Sequence, residues 1–129
     1  NDWNRIMPTL FNGASNIAQK GALAALDKEG LKEMRKTISY YMENADIIRK
    51  ALKECGCEVY GGDNAPYIWA KVKGKKSWEI FEYLLEEANI VTTPGVGFGQ
   101  QWEGFARFSA FGHRENIEEA AKKLKGCLR

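Results

Sequence analysis

An apolar stripe over residues 31–52 predicts one long amphipathic helix. Its members recur at alternating steps of three and four, which places them on one helix face for about six turns: Leu31, Met34, Ile38, Tyr41, Ala45, Ile48 and Leu52. The opposite face carries mainly lysines and is predicted to be solvated. Asp27 is the predicted N-cap, and Gly56 is predicted to end the helix in the left-handed conformation. The stripe therefore marks the face by which this helix packs on the fold.

Short strands and further helices are predicted around this helix. Residues 67–73 alternate in polarity with the period of a half-buried strand, and further strands are predicted at 58–60, 90–93 and 105–111. Helices are predicted over 15–26, from a Ser77 N-cap to Ala88, and over about 114–124. Residues 1–12 show no clean period, and Pro8 and Asn12-Gly13 mark turns there. This order predicts an α+β two-layer sandwich, with a small, mostly antiparallel sheet covered by helices on one face.

The composition excludes several classes of protein. The 129 residues suit one domain, and 44% hydrophobic content is enough for a packed core. Lysine and arginine number 19 against 17 acidic residues, so the formal charge is only +2 and neither nucleic acid nor a membrane surface is a predicted partner. No apolar run approaches the roughly 18 residues of a membrane span. Three cysteines provide no disulfide framework, which favours a reduced, cytoplasmic setting.

Most motifs with catalytic potential give weak signals. The glycine-rich loop over 94–104 lacks the spacing of a nucleotide-binding loop, and a strand rather than a helix follows it. Cys55, Cys57, Cys127 and the single histidine, His113, do not form a zinc-binding pattern. His113 has no nearby nucleophile or orienting group, and no lysine lies in a pattern typical of a cofactor site. No catalytic, cofactor-binding or metal-binding residue is predicted within this chain.

Arg107 is the most informative single residue. It lies in the middle of a predicted strand of aromatic and small residues, on the same face as Phe105, Ser109 and Phe111. A guanidinium loses much of its hydration there, and a carboxylate partner compensates for this loss. The partner could be an internal acidic residue such as Glu103, or it could be the carboxylate of a substrate, which arginine binds with two parallel hydrogen bonds. The sequence pattern leaves both interpretations open.

Four segments carry a resemblance to a known family. They are residues 11–17 (FNGASNI), 60–67 (YGGDNAPY), 92–99 (TTPGVGFG) and 103–116 (EGFARFSAFGHREN). In this order they resemble LL-diaminopimelate aminotransferases, which are pyridoxal 5'-phosphate enzymes of fold type I, and the match runs from about Trp3 to the last helix. The chain also begins at Asn1 with neither an initiator methionine nor a signal peptide. We therefore expect it to be the carboxy-terminal part of a longer protein.

The resemblance has consequences for site, cofactor and partners. It implies that Arg107 binds the α-carboxylate of the substrate and that Asn12 reaches the active site of the neighbouring subunit in a homodimer. The cofactor, pyridoxal 5'-phosphate, and its lysine would belong to a large domain absent from this chain. Residues 1–26 would lie at the interface with that domain or the dimer partner, and residues 27–129 would form the small domain. The isolated chain is then expected to be inactive.

The implied reaction moves an amino group from LL-diaminopimelate to 2-oxoglutarate, in the biosynthesis of lysine. Two alternatives stay open on sequence grounds. One is an aminotransferase for another amino acid and 2-oxo acid. The other is a stand-alone, non-catalytic α+β module that binds a carboxylate ligand through Arg107.

Overall fold

The computed structural model describes residues 1–11 and 13–128. They form two compact units, Asn1–Thr37 and a second that begins at Ile38. This division falls within the long helix. The domain boundary predicted between residues 26 and 27 stays a prediction.

The first unit is helical. It contains α1 (Asp2–Leu10), α2 (Asn16–Leu26) and the beginning of α3 (Lys28–Glu54). Ser15 caps α2 by accepting the amide of Ala18, and Asp27 accepts the amide of Gly30 at 2.8 Å as the predicted cap of α3. Neither α1 nor α2 buries any residue.

The helix α1 corrects the prediction of turns before residue 12. Pro8 lies inside α1 rather than in a turn. Proline has a backbone φ that suits a helix and loses only one hydrogen bond, and the helix ends two residues later. Trp3, Ile6 and Leu10 were an available signal, because their spacing is that of one helix face.

The second unit holds an open antiparallel sheet. Its strands are β1 (Glu58–Gly61), β2 (Tyr67–Lys71), β3 (Thr93–Pro94) and β4 (Phe105–Ser109), in the spatial order β1-β2-β4-β3. The helices α4 (Ser77–Ala88) and α5 (Arg114–Cys127) complete this unit. Alternate residues of the two central strands are buried against the helices, as the period of two predicted: Ile68, Ala70, Ala106 and Phe108.

The core lies between this buried sheet face and three helices. The second half of the α3 stripe contributes Ala45, Ile48 and Leu52, α4 contributes Ile80 and Leu84, and α5 contributes Ile117 and Leu124. The predicted α+β fold with a small antiparallel sheet is thus confirmed. The first half of the stripe differs, since Ile38 keeps 58% of its surface exposed.

Two local predictions were wrong. Residues 90–92 are not a strand, because Asn89 takes the left-handed conformation and the Ile90 amide bonds back to the Leu84 carbonyl as the chain leaves α4. Ser77 is the first residue of α4 rather than its cap. Its hydroxyl bonds instead to the segment before β4, which positions the candidate site.

Candidate functional site

The uncovered face of the sheet presents one arginine among aromatic side chains. The strand register places Trp69 of β2 and Thr93 of β3 on either side of Arg107 of β4. Arg107 therefore lies at the centre of this face, with a neighbouring strand on each side. The sequence placed Arg107 on this face correctly.

The guanidinium of Arg107 is held by rings and one hydroxyl. Its Cζ lies 4.6 Å from the ring centre of Tyr67 and 4.7 Å from that of Phe98. Nη2 donates a long hydrogen bond of 3.5 Å to Thr93 Oγ1, and the buried Nε has no hydrogen-bond partner. Cation–π contacts favour the charge but leave the N–H donors unused. The arginine is therefore fixed in place while much of its hydrogen-bonding capacity is unsatisfied.

No carboxylate among residues 1–11 and 13–128 forms an ion pair with Arg107. Glu103, the internal partner considered from sequence, is engaged elsewhere. Its Oε1 accepts the amide of Ser77 at 2.6 Å and that of Gly104 at 3.1 Å. These backbone hydrogen bonds, that of Ser77 foremost, lower the pKa of Glu103. The hypothesis of an Arg107–Glu103 salt bridge was wrong.

Aromatic rings extend from Arg107 across the open face. Trp69 and Trp102 stack with their ring centres 4.6 Å apart, and Phe98 meets Trp69 edge-on at 5.1 Å. Phe105 packs against Trp102 at 5.5 Å. These rings form a wall that places apolar surface beside the guanidinium, and Phe98 keeps 43% of its own surface exposed. The arrangement suits a small ligand whose carboxylate pairs with Arg107.

The glycine-rich segment before β4 supplies two of these rings. It folds into two short 3-10 turns, Gly95–Phe98 and Gln100–Trp102, around Gly99 at a φ of 120°. A side chain at Gly95 would lie 2.3 Å from the carbonyl oxygen of Trp102, so glycine is required for this close approach. The spacing of the glycines excluded a nucleotide-binding loop but did not predict Phe98 and Trp102 as site residues. Large aromatic residues among glycines were the signal.

The other candidate residues lie apart from Arg107. Asn12 lies outside the described residues. His113 precedes α5 without capping it through its side chain and is exposed. Cys57 is half-buried, and burial followed by the neighbouring Cys55 raises its pKa, as expected for a structural thiol. Among residues 1–11 and 13–128 no cluster of three metal-ligating side chains occurs.

The lysines of the described residues do not fit an imine-forming cofactor site. All are exposed except Lys123 and Lys125, which pair with Glu119 and Glu54 at 2.8 and 2.7 Å. An amine that attacks a carbonyl group must be desolvated and neutral. Within the described residues, Arg107 therefore has no neighbouring lysine of that kind. In the same described residues, no helix is both long and apolar enough to span a membrane.

Comparisons with known proteins agree on one family. The model for "Aminotransferase class I and II" matches residues 2–124. An LL-diaminopimelate aminotransferase of Protochlamydia amoebophila is 54% identical over 127 residues, which are 98% of this chain and 31% of that protein. A chloroplastic LL-diaminopimelate aminotransferase of Arabidopsis thaliana is 55% identical over 124 residues, which are 96% of this chain and 27% of that protein.

A solved structure has the same fold and a similar sequence. The L,L-diaminopimelate aminotransferase of Chlamydomonas reinhardtii superposes with a TM-score of 0.94 at 57% identity, over 99% of this chain and 32% of that one. The present chain therefore spans about a third of the length of the relatives it matches.

Proposed function

Because the chain belongs to the class I and II aminotransferases, we propose that it is the carboxy-terminal part of an enzyme that transfers an amino group from LL-diaminopimelate to 2-oxoglutarate. Relatives that carry this name are 54% and 55% identical to it. The reaction would belong to the biosynthesis of lysine. Within this enzyme, Arg107 binds the α-carboxylate of the amino donor and the carboxylate of the 2-oxo acid.

The observation that carries the proposal is the unpaired state of Arg107. Its Nε is buried without an acceptor, and no ion pair with a described carboxylate compensates its charge. A substrate carboxylate provides two acceptors in one plane, which match the fork of the guanidinium. Tyr67 and Phe98 restrict the arginine before the substrate arrives, so less conformational entropy is lost on binding. Fixing the carboxylate also fixes the direction of the α C–H bond.

The family implies pyridoxal 5'-phosphate, which acts as an electron sink at the α carbon when bound. The described lysines are exposed or paired with glutamates, so the cofactor and its lysine would be held by residues outside this chain. The chain alone is then inactive.

The amino-terminal helices fit the role of an interface. Trp3, Leu10 and Ile17 keep 71%, 69% and 86% of their surface exposed. Exposed apolar residues of this size on two successive helices suit a surface that another element covers. In this proposal residues 1–26 pack on the large domain or the partner of a homodimer, and Asn12 contributes to the neighbouring active site. The enzyme would be cytoplasmic, although the Arabidopsis relative is named as chloroplastic.

Substitution of Arg107 in the complete protein tests this function. Two charge-assisted hydrogen bonds, each contributing at least about 1.5 kcal/mol, imply that Arg107→Ala lowers kcat/KM by roughly 150-fold, mainly through KM. Arg107→Lys keeps the charge but not the fork, so a smaller loss is expected. The exposed Lys73→Ala is the matched control.

An unchanged kcat/KM of Arg107→Ala for both the amino donor and the 2-oxo acid would contradict the role of Arg107. A wild-type protein that prefers another amino donor would instead favour the aminotransferase for another amino acid. Carboxylate binding without turnover by a complete protein would favour the non-catalytic module.

A further inference from the structure

A polar cluster behind the open face joins the start of α4 to both ends of the glycine-rich segment. Ser77 is fully buried, and its hydroxyl donates to the carbonyl of Trp102 at 3.2 Å. The same oxygen accepts the amides of Val96 and Gly104 at 3.3 and 3.0 Å. One donor and two acceptor sites are the full capacity of a hydroxyl. Ser77 is therefore saturated by backbone groups of this one segment.

Glu103 strengthens the same connection. Its carboxylate accepts the amide of Ser77 at the amino end of α4 and the amide of Gly104 at the beginning of the turn into β4. A negative charge is favoured at a helix amino terminus, where backbone amides lack partners. The two side chains thus fix residues 96, 102 and 104 to the first turn of a packed helix.

The fixed segment carries the rings that face the arginine. Phe98 lies between the anchored residues 96 and 102, and its ring centre is 4.7 Å from the Cζ of Arg107. Trp102, whose carbonyl Ser77 binds, stacks on Trp69, the strand neighbour of Arg107. Displacement of the segment would therefore remove one ring from the guanidinium and loosen the wall beside it.

We propose that Ser77 and Glu103 are positioning residues, which set the orientation of Arg107 by holding Phe98 and Trp102 in place. This inference rests on the proposed function, because its effect is on binding of the substrate carboxylate. Neither side chain touches the guanidinium in the described contacts. Their influence passes through the anchored segment.

Kinetics of variants in the complete enzyme separate positioning from a merely structural role. Glu103→Ala and Ser77→Ala are expected to raise KM for both substrates roughly five- to fiftyfold, with kcat changed less than about threefold, because a misoriented arginine weakens ground state and transition state alike. Glu103→Gln keeps an oxygen acceptor and should restore most of the affinity. Glu86 is an exposed glutamate of α4, the helix that begins at Ser77. Glu86→Ala is therefore the control and should behave like the wild type.

A double-mutant cycle tests the path through Phe98. If Glu103 acts by holding this ring, Glu103→Ala will add little to KM in a Phe98→Ala background. Additive effects, or an unchanged KM in Glu103→Ala, would overturn the inference. Should Ser77→Ala fail to fold, the Glu103 variants and this cycle decide alone, since Glu103 is only partly buried.

The outcome for Arg107 keeps the two proposals apart. Loss of affinity in Arg107→Ala without loss in Glu103→Ala refutes only the positioning role. No effect in Arg107→Ala refutes the proposed function itself. Near-ultraviolet circular dichroism gives a readout besides activity, because the Trp69–Trp102 stack should weaken in Ser77→Ala and Glu103→Ala but not in Glu86→Ala.

Discussion

The side chain of Asn44 connects α3 by hydrogen bonds to the segment that follows β4. It is fully buried, and its Nδ2 donates to the carbonyls of Ala110 at 3.2 Å and Gly112 at 2.9 Å. Its Oδ1 is also buried but has no hydrogen-bond partner. The Ala110 carbonyl additionally accepts the amide of Gly112, whereas no other bond to the Gly112 carbonyl occurs in the described residues. Two variants of similar size separate the two effects. Asn44→Leu removes both the N–H donor and the unsatisfied oxygen, whereas Asn44→Asp removes only the donor and keeps an oxygen in its place.

The expected costs differ in origin. Asn44→Leu loses two hydrogen bonds of about 1 kcal/mol each and leaves the Gly112 carbonyl without a partner, which costs about 1 kcal/mol more. It also removes an unsatisfied oxygen that itself costs about 1 kcal/mol, so the free energy of unfolding should fall by about 2 kcal/mol. Asn44→Asp loses the same two bonds and adds a buried charge that faces two carbonyl oxygens. An uncompensated buried charge costs about 3–5 kcal/mol, so this variant should lose at least about 5 kcal/mol at pH 7.

Urea unfolding of the 129-residue chain, followed by tryptophan fluorescence, gives both values. Burial should raise the pKa of the new carboxyl in the folded state above its ordinary value of about 3.9. Its protonated form is then tolerated, and the deficit of Asn44→Asp relative to Asn44→Leu should shrink as pH falls from 7 towards 4. A leucine variant less stable than the aspartate variant at pH 7, or a gap indifferent to pH, would refute this reasoning.

Two further predictions concern the segment before β4. Gly95→Ala should lower the free energy of unfolding by about 1–3 kcal/mol in the same assay, because its Cβ would lie 2.3 and 2.7 Å from the carbonyl oxygens of Trp102 and Phe105. Gly97→Ala is the control: its Cβ would meet no atom within 4 Å, so the free energy of unfolding should change by less than about 0.5 kcal/mol. The pKa of Glu103 is lower in the folded protein than in the unfolded chain. The carboxylate therefore stabilises the fold at any pH above its pKa in the unfolded chain, and this stabilisation is lost as the pH falls through its pKa in the folded protein. The stability of Glu103→Gln should therefore approach that of the wild type as pH falls below about 4.

Local periodicity explains which parts of the fold could be predicted. The faces of β2 and β4 followed from alternation alone, and they placed Arg107 opposite the buried Ala106 and Phe108. The α3 stripe identified Ala45, Ile48 and Leu52 as core. These signals are local, because a strand or helix repeats its environment every few residues. Residues 90–92 broke the rule, since Ile90 packs against the core as the chain leaves α4 while Val91 keeps 74% of its surface exposed.

The site itself depends on contacts that local patterns do not contain. Glu103 and Arg107 are four residues apart, and this proximity suggested a salt bridge, yet the carboxylate bonds to Ser77, 26 residues away in sequence. The Glu103 carboxylate accepts the amides of Ser77 and Gly104, and an amide at the start of a helix has few other partners. Among the described residues, Arg107 is consequently left without a carboxylate partner, which is the state that our proposal assigns to substrate binding. The hydrogen bonds of Glu103 to the Ser77 and Gly104 amides therefore bear on both hypotheses for Arg107, the internal salt bridge and the binding of a substrate carboxylate. They stabilise the segment that carries Phe98 and Trp102, and they occupy the carboxylate that could have paired with Arg107.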